Sequence, residues 1–233
     1  MGKRGAEMKS SSNEYLRPTA LCDSDSRIIR RLASEITASA SDPAESSLRI
    51  FRHVRDGIAF NATLDIFLKA SQAAARKTID FCNKINIHAA LLRAAGVPAR
   101  FHTVRMRKEI LRHIVPGFLY SRLPENVGHF WCECRLKGKW IACEALFDKP
   151  FYEGMLREGW IRKEQIPTID WDGKNDLILL RHWMTADGNT CSRYEDITGL
   201  ALAEGMPPKI VCRWLEWLPA LVGGRQTDRV RRS

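Results

Sequence analysis

The sequence predicts an α+β fold in which N-terminal helices and one buried helix pack on an antiparallel sheet. Residues 83–95 are apolar around most of the circumference of a helix, which is typical of a largely buried element. Residues 100–107 alternate in character and predict a strand, and two further strands are predicted over 129–136 and 139–143. The helical patterns come before most of the strands, and this order favours the α+β class.

The predicted helices have ordinary start and stop signals. Asp42-Pro43 predicts a helix start, because proline is favoured in the first turn, and Gly96 is predicted to end the buried helix. Apolar residues at helical spacing define the remaining helices. The predicted helical ranges are 23–39, 43–57, about 66–75 and 83–95.

Length and composition are those of one globular domain: 233 residues, of which 45% are hydrophobic and 27% charged. We expect residues 1–14 to be disordered, residues 15–205 to form the domain, and residues 206–233 to be a separate basic, Trp-containing segment. The longest apolar stretch, residues 210–222, is short and contains Arg213, so no transmembrane segment is predicted.

The net charge of +10 is concentrated at the two ends of the chain. Residues 1–12 contribute +2 (three basic, one acidic) and residues 206–233 contribute +4 (six basic, two acidic). Charged tails of this kind usually favour solubility, so we expect no nucleic-acid partner. The N-terminus lacks the apolar segment of a secretory signal, and we therefore expect a cytoplasmic protein.

The cysteines show no disulfide framework. Their spacing is irregular and their number is odd, which indicates reduced thiols. The seven are Cys22, Cys82, Cys132, Cys134, Cys143, Cys191 and Cys212.

Cys82 lies where the buried helix is predicted to begin. Unpaired backbone N–H groups and the positive end of the helix dipole favour a thiolate there, and they can receive the oxyanion of a tetrahedral intermediate. Cysteine is also common as a small buried apolar residue. The residues by themselves leave both interpretations open.

His129 and Glu144 are predicted to meet on the sheet. If Lys137-Gly138 forms a two-residue turn, Glu144 lies opposite Trp131, on the same sheet face as His129. The Cα atoms of such a diagonal pair are roughly 7–8 Å apart, which an imidazole and a carboxylate can bridge. The carboxylate could then orient the ring, whereas a one-residue slip of the turn would separate the two side chains.

Two strings of the sequence resemble the transglutaminase-like superfamily. CNKINIHAALLRAAGVPAR, which starts at Cys82, is similar to a signature in which a nucleophilic Cys begins a helix that ends in a Leu-Arg-Ala-Ala-Gly-Ile/Val-Pro-Ala-Arg run. HFWCECRLKGKWIACE is similar to the second signature, and the likeness extends over about residues 14–200. The positions that match in the second string are His129, Trp131, Gly138, Trp140 and Glu144.

The resemblance implies a papain-like core and cofactor-independent acyl-transfer chemistry on a peptide, protein, small amide or thioester. Cys82 would be the nucleophile, His129 its base and Glu144 the third member, with Asp148 as the alternative third member. The family often has Gly where this chain has Asp80, whose charge would raise the pKa of the thiol. A non-catalytic binding module of the same fold is the contrasting hypothesis.

Cys132-x-Cys134 also suggests a zinc site completed by His129 and Cys143. On a regular strand, Cys132 and Cys134 point away from the face of His129, so the four side chains cannot converge. The same turn would place Cys132 directly opposite Cys143. We therefore expect packed thiols and no metal.

The C-terminal segment has two interpretations. Residues 209–232, with Trp214 and Trp217, either form an amphipathic helix packed on the domain or make a weak membrane or partner contact. A non-catalytic module would use this basic segment to hold its partner.

Overall fold

A computed structural model describes residues 14–61, 67–115, 117–197 and Val230. Most helices of the described residues precede the main antiparallel sheet, which confirms the predicted α+β class. The helices are α1 (Arg27–Thr37), α2 (Pro43–Gly57), α3 (Ala70–Ala74), α4 (Phe81–Ala94), α5 (Gly117–Tyr120) and α6 (Lys149–Arg157). The strands are β1 (Ala59–Phe60), β2 (Thr78–Ile79), β3 (Ala99–Arg107), β4 (Asn126–Leu136), β5 (Lys139–Ala142) and β6 (Met184–Cys191). Lys108–Leu111 and Arg181–Trp183 form short 3₁₀ helices.

The helix starts follow local capping chemistry. Helix α2 begins at the predicted Asp42-Pro43 pair, where the Asp42 carboxylate accepts a 2.8 Å hydrogen bond from the Glu45 N–H. The Ser26 hydroxyl caps α1, which is shorter at both ends than predicted. Helix α3 covers only part of the predicted range 66–75.

The four-stranded sheet has the order β5-β4-β3-β6, and all of its neighbouring strands are antiparallel. Helix α4 packs on one face of this sheet, and every residue from Cys82 to Arg93 is buried, as the apolar pattern predicted. Gly96 has φ +79 and follows the end of the helix, also as predicted. The buried helix and the sheet therefore form the layers between which the core lies.

The β4–β5 hairpin has the predicted two-residue turn. Lys137 and Gly138 have φ values of 49° and 83°, which are those of a type I′ turn. Glu133 pairs with Ala142, and the Cys143 N–H donates to the Cys132 carbonyl at 3.0 Å. The predicted register is therefore confirmed.

Replacing Gly138 by alanine should lower the free energy of unfolding by about 1 kcal/mol, because a Cβ is unfavourable at positive φ. Urea denaturation would measure the change. Gly117→Ala is the matched control, since that glycine begins α5 and a Cβ there would meet nothing within 4 Å. Equal stability of the two variants would contradict the role of the turn.

An extended segment at Leu177 pairs with the chain at the end of β5. The sequence did not predict this pairing. The Leu177 N–H donates to the Ala142 carbonyl at 2.9 Å, and the Glu144 N–H donates to the Leu177 carbonyl at 3.2 Å. These two hydrogen bonds fix the position of the backbone at Glu144.

Other predictions concern the chain ends. Apart from Glu14 and Val230, residues 1–14 and 206–233 lie outside the described residues. Within the described ranges, no helix has the length and apolar character needed to cross a membrane.

Candidate functional site

Asp80 organises the first turn of α4. Its carboxylate accepts hydrogen bonds from the N–H groups of Cys82 at 2.7 Å and Asn83 at 3.2 Å, and it is therefore the N-cap. The Asn83 side-chain amide also donates to it. The Cys82 N–H, which we expected to be open to an oxyanion, is already used.

Cys82 is the second residue of α4 and is fully buried. Burial raises the pKa of its thiol well above the ordinary value, and the neighbouring Asp80 carboxylate raises it further. In this conformation, desolvation and Asp80 outweigh the helix dipole and favour the thiol of Cys82 over the thiolate.

Tyr194 is a neighbour of Cys82 that the sequence did not indicate. It is fully buried, and its hydroxyl lies close to the Cys82 thiol. Burial raises the pKa of this hydroxyl, and the nearby Cys82 and Asp80 add to the effect. Cys82 and Tyr194 are far apart in the sequence, so no local sequence pattern indicates that they are neighbours.

His129 and Glu144 form the contact predicted from the strand register. His129 Nε2 lies 2.6 Å from Glu144 Oε1, and both residues are buried. The second carboxylate oxygen of Glu144 accepts a 2.5 Å hydrogen bond from the Leu179 N–H. With both oxygens bonded, Glu144 fixes the orientation of the imidazole and leaves Nδ1 of the ring for another partner.

Phe81 lies against the His129 ring, with 5.7 Å between the ring centroids. Among the described residues, no hydrogen bond joins His129 to the Cys82 thiol. The structure thus brings together two of the three predicted site residues, and it places Phe81, which the sequence did not indicate, beside the imidazole.

Asp148, the alternative third member, is engaged elsewhere. It is the N-cap of α6 and accepts from the Phe151 N–H at 3.1 Å and from the Phe60 N–H at 2.7 Å. Its carboxylate therefore stabilises a helix start and the adjoining β1 strand.

A group of side chains that could hold a metal lies on the other face of the sheet. Ligand atoms of His88, Cys132 and Cys143 are within 4.8 Å of one another. The sequence analysis correctly separated the cysteines from His129, but it did not identify His88 as their neighbour.

Asp80→Asn should remove a pH dependence of stability. Burial raises the pKa of Asp80 from 3.8 to about 7, although hydrogen bonds from Asn83 and Cys82 oppose the rise. Because the folded-state pKa is the higher one, this group's contribution to stability is complete below pH 3.8 and is lost as the pH rises to about 7. Relative to the variant, the wild-type free energy of unfolding should therefore fall across this interval.

Chemical denaturation at several pH values would measure this difference. Asp42→Asn makes the same change at the exposed N-cap of α2 and controls for the loss of a capping carboxylate. Parallel stability curves for wild type and Asp80→Asn would contradict the prediction.

Comparison with known proteins supports the family suggested by the sequence. The sequence model of the transglutaminase-like superfamily matches residues 30–145. Among solved structures, a candidate cysteine protease from Cytophaga hutchinsonii aligns with 18% identity and a TM-score of 0.47, covering 58% of this chain and 42% of that one. This chain thus spans less than half the length of that protein. No curated protein matched the chain.

The range matched by the family contains helix α4 with Cys82, the β4–β5 hairpin, and the hydrogen-bonded residues His129 and Glu144. These elements support a cysteine-based catalytic fold. Residues 30–145 of this chain thus form a transglutaminase-like domain.

Proposed function

We propose that this protein is a cysteine-dependent enzyme that hydrolyses amides or transfers acyl groups, with Cys82 as nucleophile, His129 as base and Glu144 as the orienting residue. The observation that carries the proposal is the buried 2.6 Å contact between His129 and Glu144. A carboxylate in this position holds the imidazole in one tautomer and stabilises the imidazolium. The position of Cys82 at the start of a helix, within the family match, is its second support.

In the proposed reaction, the Cys82 thiol transfers its proton to His129 Nδ1, since Nε2 is engaged with Glu144. The sulfur bonds to the acyl carbon, and the carbonyl electron pair moves to the oxygen. When that oxyanion collapses, the leaving amine departs with the proton from His129, and an acyl-thioester remains. Water or an amine then attacks the thioester and regenerates the thiol.

This mechanism requires a change in the first turn of α4. Phe81 now lies against the imidazole, and the thiol is buried beside Asp80 and Tyr194. Displacement of the Phe81 ring would open His129 to the thiol, and catalytic contacts are often loose until substrate is bound. A peptide, protein, small amide or thioester would be the substrate class.

A second candidate function is a non-catalytic binding module. It is favoured by the Phe81–His129 contact and by the raised pKa of the Cys82 thiol, both of which oppose nucleophilic attack. In this case the His129–Glu144 pair would be a structural contact retained in the sheet.

Thiol-probe labelling with peptide mapping separates the two functions. A catalytic Cys82 should react with an electrophilic activity-based probe in the native protein faster than the other cysteines, and an amide or thioester from a substrate screen should slow that reaction. If Cys82 reacts only after denaturation and no substrate is turned over, the catalytic proposal fails and the binding module is supported.

A further inference from the structure

A second group of chemically reactive side chains lies on the face of the sheet away from His129. One ring nitrogen of His88 and the sulfur atoms of Cys132 and Cys143 lie within 4.8 Å of one another. His88 is 1% exposed and the two cysteines are fully buried. Imidazole nitrogen and thiolate sulfur are the ligands that zinc prefers in structural sites.

The fold fixes the positions of these three residues. The β4–β5 register places Cys132 opposite Cys143, whose N–H donates to the Cys132 carbonyl at 3.0 Å. His88 comes from the middle of α4, the helix that packs on this face. His88, Cys132 and Cys143 thus come from three separate segments that meet in the core.

The His88 side chain lacks a partner that its burial requires. Its Nε2 atom has no hydrogen-bond partner among the residues that the structure describes. Buried polar atoms in folded proteins are nearly always paired, so this unpaired nitrogen, in a histidine whose ring lies near two sulfurs, points to a ligand. Zinc binds the neutral form of the imidazole.

Cys134 offers a further thiol beside this group, outside the three whose ligand atoms lie within 4.8 Å of one another. It lies two residues along β4 from Cys132 and therefore on the same face. The thiols of Cys132 and Cys134 both lie near the Cys143 sulfur, within reach of a side-chain hydrogen bond. Cys134 is itself fully buried.

We propose that His88, Cys132, Cys134 and Cys143 bind a structural zinc ion between α4 and the β4–β5 hairpin. Zinc in structural sites is tetrahedral, with bonds of about 2.0–2.3 Å, which sets its ligand atoms roughly 3.3–3.8 Å apart. The three ligand atoms within 4.8 Å need to close by only about an ångström to reach this geometry.

The net charge of the proposed zinc site is balanced by Lys84, a buried residue of α4. Binding displaces three thiol protons to solvent, and Zn²⁺ with three thiolates and a neutral imidazole carries one net negative charge. Lys84 is buried one helical turn before His88, and its ammonium group donates to the carbonyls of Arg55 at 2.9 Å and Ile58 at 2.7 Å. This lysine supplies the compensating positive charge. The site is separate from Cys82 and does not depend on the proposed reaction.

Metal analysis of the full chain, purified without chelators, tests the proposal directly. We expect about one zinc ion per chain. Exchange with Co²⁺ should give a thiolate-to-metal charge-transfer band in the near ultraviolet and the intense visible bands of tetrahedral coordination. A chain that folds in the presence of excess zinc or cobalt, yet holds no metal and shows no such bands, would overturn the proposal.

Variants locate the ligands. The Cys143→Ser variant should lose stoichiometric zinc and the cobalt–thiolate spectrum, while Cys191→Ser, at a half-buried thiol outside the cluster, should keep both. A folded Cys143→Ser protein with the wild-type spectrum would contradict the assignment.

Thiol alkylation of the wild type tests the same ligands without relying on a variant that folds. With metal bound, Cys132, Cys134 and Cys143 should resist alkylation, and chelation should increase their reactivity. The same alkylation pattern with and without chelator would count against the site.

Discussion

The Cys82→Ala variant should lose amidase and acyl-transfer turnover by a factor on the order of 10⁴ or more while keeping its fold. The covalent route requires a sulfur nucleophile, and alanine offers no atom that can form the thioester. Removing one buried sulfur should lower the free energy of unfolding by only about 1–2 kcal/mol. Steady-state kinetics on a substrate from the screen, together with thermal denaturation, would measure both effects.

Cys22→Ala provides the matched control, because Cys22 is also a fully buried thiol but lies before α1. Its turnover should stay near that of the wild type. Full activity in Cys82→Ala would end the catalytic proposal, whereas an equal loss in both variants would attribute the effect to damage to the core.

The His129–Glu144 contact could be predicted because it depends on local rules alone. A two-residue turn at Lys137-Gly138 sets the register, and the two-residue period of a strand then decides which side chains share a face. Both rules operate within a short stretch of chain, and the structure follows them.

The surroundings of Cys82 could not be predicted in the same way. The raised pKa of its thiol results from burial and from Asp80, and Tyr194 reaches it from a distant segment. In the sequence, Asp80 stands where the family often has Gly. In the structure, its carboxylate is the N-cap of α4. Desolvation is a property of the folded core, and no sequence pattern reports it.

His88 was missed for a related reason. Helix α4 is apolar around most of its circumference, so its sequence does not mark the face that packs on the sheet. Strand alternation correctly separated Cys132 and Cys134 from His129. His88 lies beside the cysteines because of the angle at which the helix packs on the sheet. The sequence does not determine that angle.

Glu144→Gln should reduce turnover by roughly 10²–10⁴-fold, whereas Asp148→Asn should leave it near the wild-type value. The Glu144 carboxylate accepts from His129 and from the Leu179 N–H, each through a separate oxygen. An amide has a single oxygen, so one of these donors would face an NH₂ group and the imidazole would lose its fixed orientation. The measurement is kcat for each variant, with urea denaturation to follow stability.

Glu133→Gln is the matched control for the change in charge, because Glu133 also pairs with a histidine on the sheet, His102, at 2.7 Å. It should retain turnover. Asp148→Asn should instead lower stability by about 1 kcal/mol, since the two oxygens of Asp148 accept separately from the Phe151 and Phe60 N–H groups and an amide offers only one oxygen. An inactive Asp148→Asn variant beside a fully active Glu144→Gln variant would reverse the two assignments and make Asp148 the third member. If Glu144→Gln and Glu133→Gln lose turnover equally, the effect comes from the charge of the sheet and not from the orientation of His129.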